Sequence, residues 1–218
     1  MEYDKNKLTI KIINKFVDFK DKVVLEVGCG DGKTSSLLAN NTKRYIGIDP
    51  DSQSIKKAKS VFENVDFQMG SGESLDFENS YFDIVLFTLS LHHQNSKLAL
   101  KEAKRVLTPK GQLIILEPSI YGELQQFFHL FNDETEQIQE TLKNIKQSDF
   151  CLIQQDTFNV AMTFKVRDEL YNYHFAREKI KPQDTDLIIE KLNQYQNILA
   201  DDQPIKLNDE INIYFLSK

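Results

Sequence analysis

The stretch 23–32 constrains the fold of this chain more than any other, because an apolar run passes directly into closely spaced glycines. Its first five residues, VVLEV, are interrupted only by Glu26, which is typical of a parallel strand covered on both faces. Gly28, Gly30 and Gly32 follow at alternate positions. Glycine has no Cβ, so the chain can turn sharply there, adopt positive φ and let a ligand approach free backbone N–H groups. The stretch predicts a strand, a tight turn and then a helix.

The composition favours one folded domain with a small-molecule partner. The 218 residues are 40% hydrophobic and 28% charged, and the formal net charge is −6. This charge argues against a broad basic face that would bind nucleic acid or an anionic membrane. Cys29, Cys151 and the four histidines show no metal-ligand spacing, so we expect no metal. Without an apolar signal segment or about 18 consecutive apolar residues, the expected location is the cytoplasm.

Helical and strand patterns alternate along the chain, which predicts a parallel sheet. We expect an N-terminal helix within 1–20, with Ser52 and Ser96 as caps of two later helices and a turn at 108–111. Strands are predicted at 45–49, 65–69, 82–88 and 112–117, and two alternating patterns at 158–164 and 211–215 predict late strands that close the sheet. Helical patterns at 124–131, 138–145, 167–175 and 187–199 predict a cap over a pocket, within 119–150 and 166–200.

Several ordered motifs carry a family resemblance between about residues 20 and 120. They are LEVGCGDG at 25–32, GID at 47–49, YFDIV at 81–85, RVLTPKG at 105–111 and LEP at 116–118. The chain resembles class I S-adenosylmethionine-dependent methyltransferases, in particular their small-molecule branch. The resemblance implies one domain over 1–218 with a three-layer, Rossmann-like α/β fold. Its sheet would be mostly parallel and seven-stranded, with an antiparallel C-terminal strand and a helical cap.

The resemblance also implies S-adenosylmethionine as cofactor and S-adenosylhomocysteine as product. Asp49 lies at the end of the second predicted strand, where its carboxylate can accept hydrogen bonds from both ribose hydroxyls. The alternative is an acid that merely starts a helix. Gly28, Cys29 and Gly30 would line the methionine part of the cofactor, and Glu26 would orient its ammonium group. Glu26 is alternatively a buried, paired structural acid.

The segment 70–75 resembles the loop that contacts adenine in this family. It carries Ser71 where relatives often have aspartate, so the adenine contact would shift to the backbone, with Gly72 and Glu73 as neighbouring candidates. An ordinary polar turn explains the same residues. Pro50 and Leu89 complete the candidate cofactor-binding set.

His92 and His93 follow the fourth strand at the edge where open α/β sheets bind ligands. An unperturbed imidazole titrates near pH ~6.5, so either side chain is a candidate catalytic base. Either is equally a wall residue, since methyl transfer from a sulfonium needs little beyond alignment and desolvation. The D/N-P-P-Y/F motif expected of adenine-N6 DNA methyltransferases is missing at this edge, which disfavours a base-flipping enzyme.

Candidate acceptor-binding residues lie in the predicted cap, where aromatic and charged side chains recur. Arg167 and His174 are seven positions apart, share a helix face and suit an anionic acceptor. For the aromatic residues, core packing is the competing explanation. The candidates are Tyr121, Phe128, His129, Arg167, Tyr171 and His174.

Two other functions compete with methyl transfer by in-line displacement. A nicotinamide dehydrogenase would carry G-x-G-x-x-G, whereas this chain has G-x-G-x-G with Lys33 at the last position of that pattern. A noncatalytic module that binds S-adenosylmethionine or a partner remains open, because fold does not fix function. We expect a monomer or a homodimer.

Overall fold

The computed structural model describes residues 1–129, 132–175, 189–190, 192–194 and 203–218. The chain divides into two compact units, which we call the first unit and the second unit. The first unit comprises Met1–Thr9, Pro118–Thr135 and Phe158–Ile211. The second unit comprises Ile10–Glu117, Glu136–Thr157 and Asn212–Lys218. The single domain and the cap boundaries expected from the sequence stay predictions.

Strands and helices alternate through the first half of the chain, as the sequence predicts. In chain order the described elements are β1 (Glu2–Tyr3), α1 (Leu8–Phe16), β2 (Val23–Val27), α2 (Lys33–Leu38), β3 (Arg44–Asp49), α3 (Ser52–Val61), β4 (Asp66–Met69), β5 (Phe82–Thr88), a 3₁₀ turn (Leu91–His93), α4 (Ser96–Val106), β6 (Leu107–Pro118), α5 (Glu123–Phe128), α6 (Thr135–Gln147), β7 (Cys151–Phe164), α7 (Arg167–Phe175) and β8 (Ile205–Ser217).

These strands form one eight-stranded sheet in the order β1-β7-β8-β6-β5-β2-β3-β4. The five strands from β6 to β4 are parallel, and β1 is antiparallel to β7. Two backbone bonds, from Ser119 N–H to the Glu210 carbonyl and from Lys218 N–H to the Gly111 carbonyl, show that β8 runs antiparallel to β6. The predicted fold class is confirmed, with one strand more than the seven expected, because Glu2 and Tyr3 pair with β7.

The N-terminal helix α1, Leu8–Phe16, lies within the 1–20 segment expected to contain it. The carboxylate of Asp4 accepts the backbone N–H groups of Leu8 and Thr9 at 2.7 and 2.9 Å, so it caps the start of α1. Residues before Asp4 belong to β1. Local capping therefore sets the boundary between strand and helix.

Two predicted helix caps are wrong by one residue. Asp51, not Ser52, caps α3 by accepting the N–H groups of Gln53 and Ser54. Asn95, not Ser96, caps α4 by accepting the N–H of Leu98. In both cases an Asx side chain lies directly before the serine and accepts from the first turn in its place.

The turn expected at 108–111 lies inside the long strand β6. Pairing with β5 passes from Phe82↔Leu107 to Ile84↔Gln112, so the four residues 108–111 lie opposite the single residue Asp83 and β6 carries three extra residues there. The chain bulges out of the β5–β6 pairing at TPKG and then rejoins it, so this turn-forming sequence precedes a continuous apolar run within β6.

The core of the second unit is built from the predicted apolar runs. Leu25, Val85 and Leu113, on neighbouring parallel strands, are all 0% exposed. On α4, Ala99 and Ala103 are spaced by one helical repeat and are equally buried. A sheet covered on both faces in this way leaves the carboxyl ends of its strands as the place where polar residues gather.

Arg105, from the RVL motif, holds the chain that follows β4. Its guanidinium donates to the carbonyls of Leu75 and Phe77 at 2.8 and 2.7 Å, and to the carboxylate of Glu102. The planar guanidinium fork suits several acceptors at once. This motif residue is therefore structural.

The first unit has its own apolar cluster, formed from Leu124, Phe127, Met162, Phe164, Leu170, Leu192, Ile205 and Leu207. The helix predicted at 187–199 falls mostly outside the described residues. Of the helices in the described ranges, none combines the length and apolar composition needed to cross a membrane.

Candidate functional site

The turn after β2 brings the backbone of Gly28 into contact with Ser90, which follows β5. Gly28 has φ 77°, and a Cβ built on it would lie 2.3 Å from the Cβ of Ser90. The Ser90 hydroxyl donates to the carbonyl of Val27 at 2.6 Å, which fixes this approach. Only glycine fits at position 28, for reasons of both conformation and space. Sequence reasoning missed Ser90, since nothing in its local pattern indicates the contact.

Gly30 and Gly32 have different roles in the same turn. A Cβ on Gly32 would lie 2.5 Å from the ring of Phe67, so this glycine lets the start of α2 pack closely. Gly30 also has a left-handed backbone, with φ 53°, but a Cβ there would meet nothing within 4 Å. The turn therefore has open space beside Gly30, where a ligand can approach the backbone.

The expectation that a ligand would meet free N–H groups along this turn is wrong for four of its residues. The N–H groups of Gly28 and Cys29 both donate to the carbonyl of Ile48. Gly32 donates to the carbonyl of Cys29, and Gly30 donates to the carboxylate of Asp49 at 2.8 Å. The turn is consequently fixed by its own hydrogen bonds before any ligand binds.

Asp49 lies at the carboxyl end of β3, beside the open side of the turn. Its Oδ2 accepts from Gly30, and its Oδ1 accepts the N–H of Asp51 at 2.9 Å. Each carboxylate oxygen has two lone pairs, so each retains capacity for a further donor such as a ribose hydroxyl. Asp51, rather than Asp49, caps the next helix, and the exposed Pro50 lies between the two acids. The role of capping the helix, which was the alternative for Asp49, is therefore filled by Asp51.

Glu26 is completely buried and has three hydroxyl donors. Its Oε2 accepts from Ser35 at 2.5 Å and from Tyr45 at 3.0 Å, and its Oε1 accepts from Thr88 at 2.5 Å. Burial raises the pKa of Glu26, while the bonds from Ser35, Thr88 and Tyr45 lower it. This network fits the structural-acid alternative, and the ammonium-orienting role stays a prediction.

Cys29 is 7% exposed in the same turn. Burial, followed by the nearby Glu26 and Asp49 carboxylates, raises the pKa of its thiol well above the usual value. A thiol in such surroundings stays protonated and unreactive. Cys29 can contribute a wall to the site but not a nucleophile.

The candidate adenine loop forms a compact polar turn. The Ser71 hydroxyl accepts the N–H of Glu73 at 3.4 Å, and Glu73 accepts the N–H of Asn95 at 2.6 Å. Gly72 is buried, and a Cβ on it would lie 2.4 Å from Gln94 Oε1. These contacts attach the loop to the start of α4, so an ordinary turn accounts for them and an adenine contact stays a prediction.

The chain leaves β5 in a strained conformation at Leu89. This residue has a left-handed backbone with φ 56°, and its N–H donates to the carbonyl of Leu116 at 2.9 Å. Strain of this kind in a residue other than glycine is typical of functional sites, where the surrounding structure maintains it. Leu89 directly precedes Ser90, which contacts Gly28.

His92 forms a buried pair with Glu117, at the end of β6. Its Nδ1 lies 2.5 Å from Glu117 Oε2, and the side chains are 3% and 0% exposed. Glu117 Oε1 accepts the N–H of Leu91 at 3.0 Å. A carboxylate that holds one imidazole nitrogen fixes the ring orientation, as in enzymes that use histidine as a base. Glu117 was part of the LEP motif but was not predicted as a site residue.

His93 is exposed, and its ring centroid lies 3.9 Å from that of His92. Both histidines, with Leu89 and Ser90, follow β5 in the second unit. Of the two candidate bases, His92 has a buried carboxylate partner in Glu117. Whether either histidine acts in catalysis stays a prediction.

The candidate acceptor residues all belong to the first unit. Tyr121 is 77% exposed, and His129 Nδ1 lies 2.8 Å from the carboxylate of Asp133. Phe128 packs against the apolar cluster of this unit, as the core-packing explanation expects. Arg167 is half-buried at the start of α7. The side chains of the other two candidates, Tyr171 and His174, lie outside the described part of the chain.

Known proteins match the segment of this chain that forms the parallel part of the sheet. Residues 25–115 match the family described as a methyltransferase domain. A methyltransferase-like protein of Schizosaccharomyces pombe is 32% identical over 107 residues, which are 49% of this chain and 42% of that protein. The uncharacterized methyltransferase YcgJ of Bacillus subtilis is 32% identical over 100 residues, which are 43% of this chain and 40% of that protein. The chain thus spans about two fifths of the length of these curated relatives.

Solved structures support the same fold over nearly the whole chain. The crystal structure of YcgJ aligns with a TM-score of 0.66 at 21% identity and covers 98% of both chains. Phosphoethanolamine N-methyltransferase 2 of Haemonchus contortus, solved with S-adenosyl-L-methionine, aligns with a TM-score of 0.60 at 17% identity. The alignment covers 98% of this chain and 52% of that one.

Proposed function

Residues 25–115 belong to the class I S-adenosylmethionine-dependent methyltransferases, and on this premise we propose that the protein methylates a small-molecule acceptor. The reaction is an in-line displacement that leaves S-adenosylhomocysteine. The observation that carries the proposal is the open side of the turn at Gly30, next to a carboxylate with remaining acceptor capacity. A small acceptor agrees with a net charge of −6, which does not favour nucleic acid.

The residues around the turn fit S-adenosylmethionine. Asp49 would accept hydrogen bonds from the ribose hydroxyls, and the backbone at Gly28 and Gly30 would border the methionine part. Cys29, Pro50 and Leu89 would supply walls. The adenine would lie against the loop formed by Ser71, Gly72 and Glu73. Because the turn is already fixed by its own hydrogen bonds, binding would require little backbone reorganisation.

The cofactor would supply an activated methyl group on a sulfonium. The protein would hold the acceptor in line with this methyl and exclude water, and alignment of this kind reaches effective molarities of about 10⁵ M or more. His92 is the residue we assign to removal of a proton from the acceptor. Glu117 holds Nδ1 of that ring, so Glu117 would fix the imidazole and stabilise it once it is protonated.

Binding to the turn is tested by calorimetric titration with S-adenosylmethionine and with NAD. We expect micromolar binding of the former, and an Asp49→Asn variant should bind it at least about tenfold more weakly, because hydrogen bonds to a charged acceptor contribute about 1.5 to 3 kcal/mol. Asp51→Asn is the matched control, since asparagine retains the helix cap while the same charge is removed. Binding of NAD alone would contradict the proposal and favour an oxidoreductase.

Turnover separates an enzyme from a noncatalytic binding module. The protein is incubated with methyl-labelled S-adenosylmethionine and a metabolite extract, and label is followed in small molecules and in macromolecules. A labelled metabolite together with S-adenosylhomocysteine supports the proposal. Labelled macromolecules would redirect it to a larger acceptor, and binding without turnover would favour the module. The cytoplasmic location and the monomeric or dimeric state stay predictions.

A further inference from the structure

The buried face of β8 contains an acidic side chain in the middle of an apolar stripe. Ile205, Leu207 and Ile211 are each 0% exposed at alternate positions, and Asp209 continues this stripe at 3% exposed. Alternate residues of a strand point to the same face, so the carboxyl group faces the apolar interior of the first unit. A carboxylate in such surroundings costs several kcal/mol unless partners satisfy it.

Only half of this carboxyl group is satisfied. Tyr3 donates its hydroxyl to Asp209 Oδ2 at 2.7 Å. Oδ1 is buried and has no hydrogen-bond partner among the described residues. Burial raises the pKa of Asp209 to about 6, so the group is charged at neutral pH. A buried polar atom without a hydrogen-bond partner is rare in native proteins, and binding of a ligand is one explanation for it.

Tyr3, the hydrogen-bond donor to Asp209, lies among aromatic side chains. Tyr3 and Tyr173 pack against the apolar cluster of the first unit, and the rings of Phe164 and Tyr173 lie with centroids 5.7 Å apart. The amide oxygen of Asn193, in the same unit, is a second buried acceptor without a hydrogen-bond partner among the described residues. The negative charge and the unsatisfied acceptor oxygen of Asp209 suit a cation that carries N–H donors.

We propose that the first unit binds an organic ammonium ion, with Asp209 Oδ1 as its hydrogen-bond acceptor. The ammonium donates to this oxygen while the tyrosine hydroxyl keeps Oδ2. Because Asp209 is 3% exposed, the ligand reaches it through local opening of the first unit. Binding at this site requires no methyl transfer.

The probe is butylammonium chloride, compared with 1-butanol, the uncharged alcohol with the same alkyl chain. Titrations at pH 7.5 without S-adenosylmethionine are followed by calorimetry and by the ring resonances of Tyr3 and Tyr173. We expect wild type to bind butylammonium at least about tenfold more tightly than 1-butanol, and Asp209→Asn to lose this preference. Asp149→Asn removes the same charge from a side chain that is 89% exposed, and it should behave as wild type.

Three results would overturn the site. Wild type that binds the alcohol as tightly as the ammonium has no charge recognition. If Asp209→Asn retains the preference for the ammonium over the alcohol, recognition lies elsewhere. The same conclusion follows if the ring resonances of Tyr3 and Tyr173 do not change when the ammonium binds. The comparison of the two probes and the resonance measurements use wild type, so they test the ammonium site even if Asp209→Asn does not fold. Methyl transfer is unaffected by these outcomes, since the titrations contain no methyl donor.

Discussion

The Asp209 carboxyl group makes the stability of the protein depend on pH in a direction opposite to that of most acidic residues. Burial raises the pKa of Asp209 from 3.8 to about 6, and the bond from Tyr3 only partly offsets this effect. Folding therefore favours the neutral carboxyl group relative to the unfolded chain, although the group still ionises above about pH 6. Its stabilising contribution is complete below about pH 4 and is lost as pH rises through about 6.

The size of the effect follows from the shift in pKa. A rise of about two units corresponds to about 3 kcal/mol of unfolding free energy, most of which is lost between pH 4 and pH 7. Asparagine cannot ionise, so Asp209→Asn removes this loss. The unfolding free energy of the variant minus that of wild type should therefore increase by about 2 to 3 kcal/mol from pH 4 to pH 7.

Urea unfolding followed by circular dichroism at pH 4, 5, 6 and 7 measures this difference. Any constant cost of the amide cancels, because only the change with pH is compared. Asp149→Asn serves as control, since its carboxyl group is 89% exposed, and its difference from wild type should stay flat. Parallel curves for Asp209→Asn and wild type would refute the reasoning, because they would mean that Asp209 ionises equally easily in the folded and unfolded states.

Two further predictions concern the glycine turn at 28–32 and the buried pair of His92 and Glu117. Gly28→Ala should destabilise the protein by about 3 kcal/mol in urea unfolding, through the contact with Ser90 and the left-handed backbone, whereas Gly30→Ala should cost about 1 kcal/mol and mainly weaken binding of S-adenosylmethionine. Equal destabilisation by the two substitutions would contradict the separate roles of these glycines. Glu117→Gln should lower kcat by about tenfold or more and move the acidic limb of the pH–rate profile to lower pH, because an imidazolium loses its anionic partner. An unshifted profile would show that the pair only supports the fold.

The parallel half of the fold was predictable because its signals are local. An apolar run and a glycine-rich turn specify β2 and the start of α2 without reference to the rest of the chain. The different roles of the three glycines were not predictable, since they depend on Ser90 and Phe67, which other elements bring to the turn. The extra strand β1 escaped prediction because Glu2 and Tyr3 carry no strand pattern of their own and are positioned by pairing with β7.

The sequence predicted where the candidate site lies, but not which hydrogen bonds connect its residues. Asp49 lies against Gly30 as the spacing of the motifs indicates. The partners of Glu26 come from three other elements, so sequence alone left its two interpretations open. For the acceptor, aromatic periodicity does not distinguish a core residue from a binding residue, and Phe128 is an example of the former.

Glu26 on β2 and Glu117 on β6 are both completely buried near the carboxyl ends of two strands that flank β5, but their hydrogen-bond partners differ. The described hydrogen-bond donors to Glu26 are three hydroxyl groups, and burial raises the pKa of Tyr45 well above its usual value, so none of these donors exchanges a proton near pH 7. Glu117 instead has an imidazole, the one side chain whose ordinary titration lies in that range. At this end of the sheet, the described hydrogen-bond partner that can exchange a proton near pH 7 is therefore the imidazole of His92. If transfer to the acceptor requires a base, the effect of Glu117→Gln on the pH profile should have no counterpart in Thr88→Val, which removes one hydroxyl donor from Glu26.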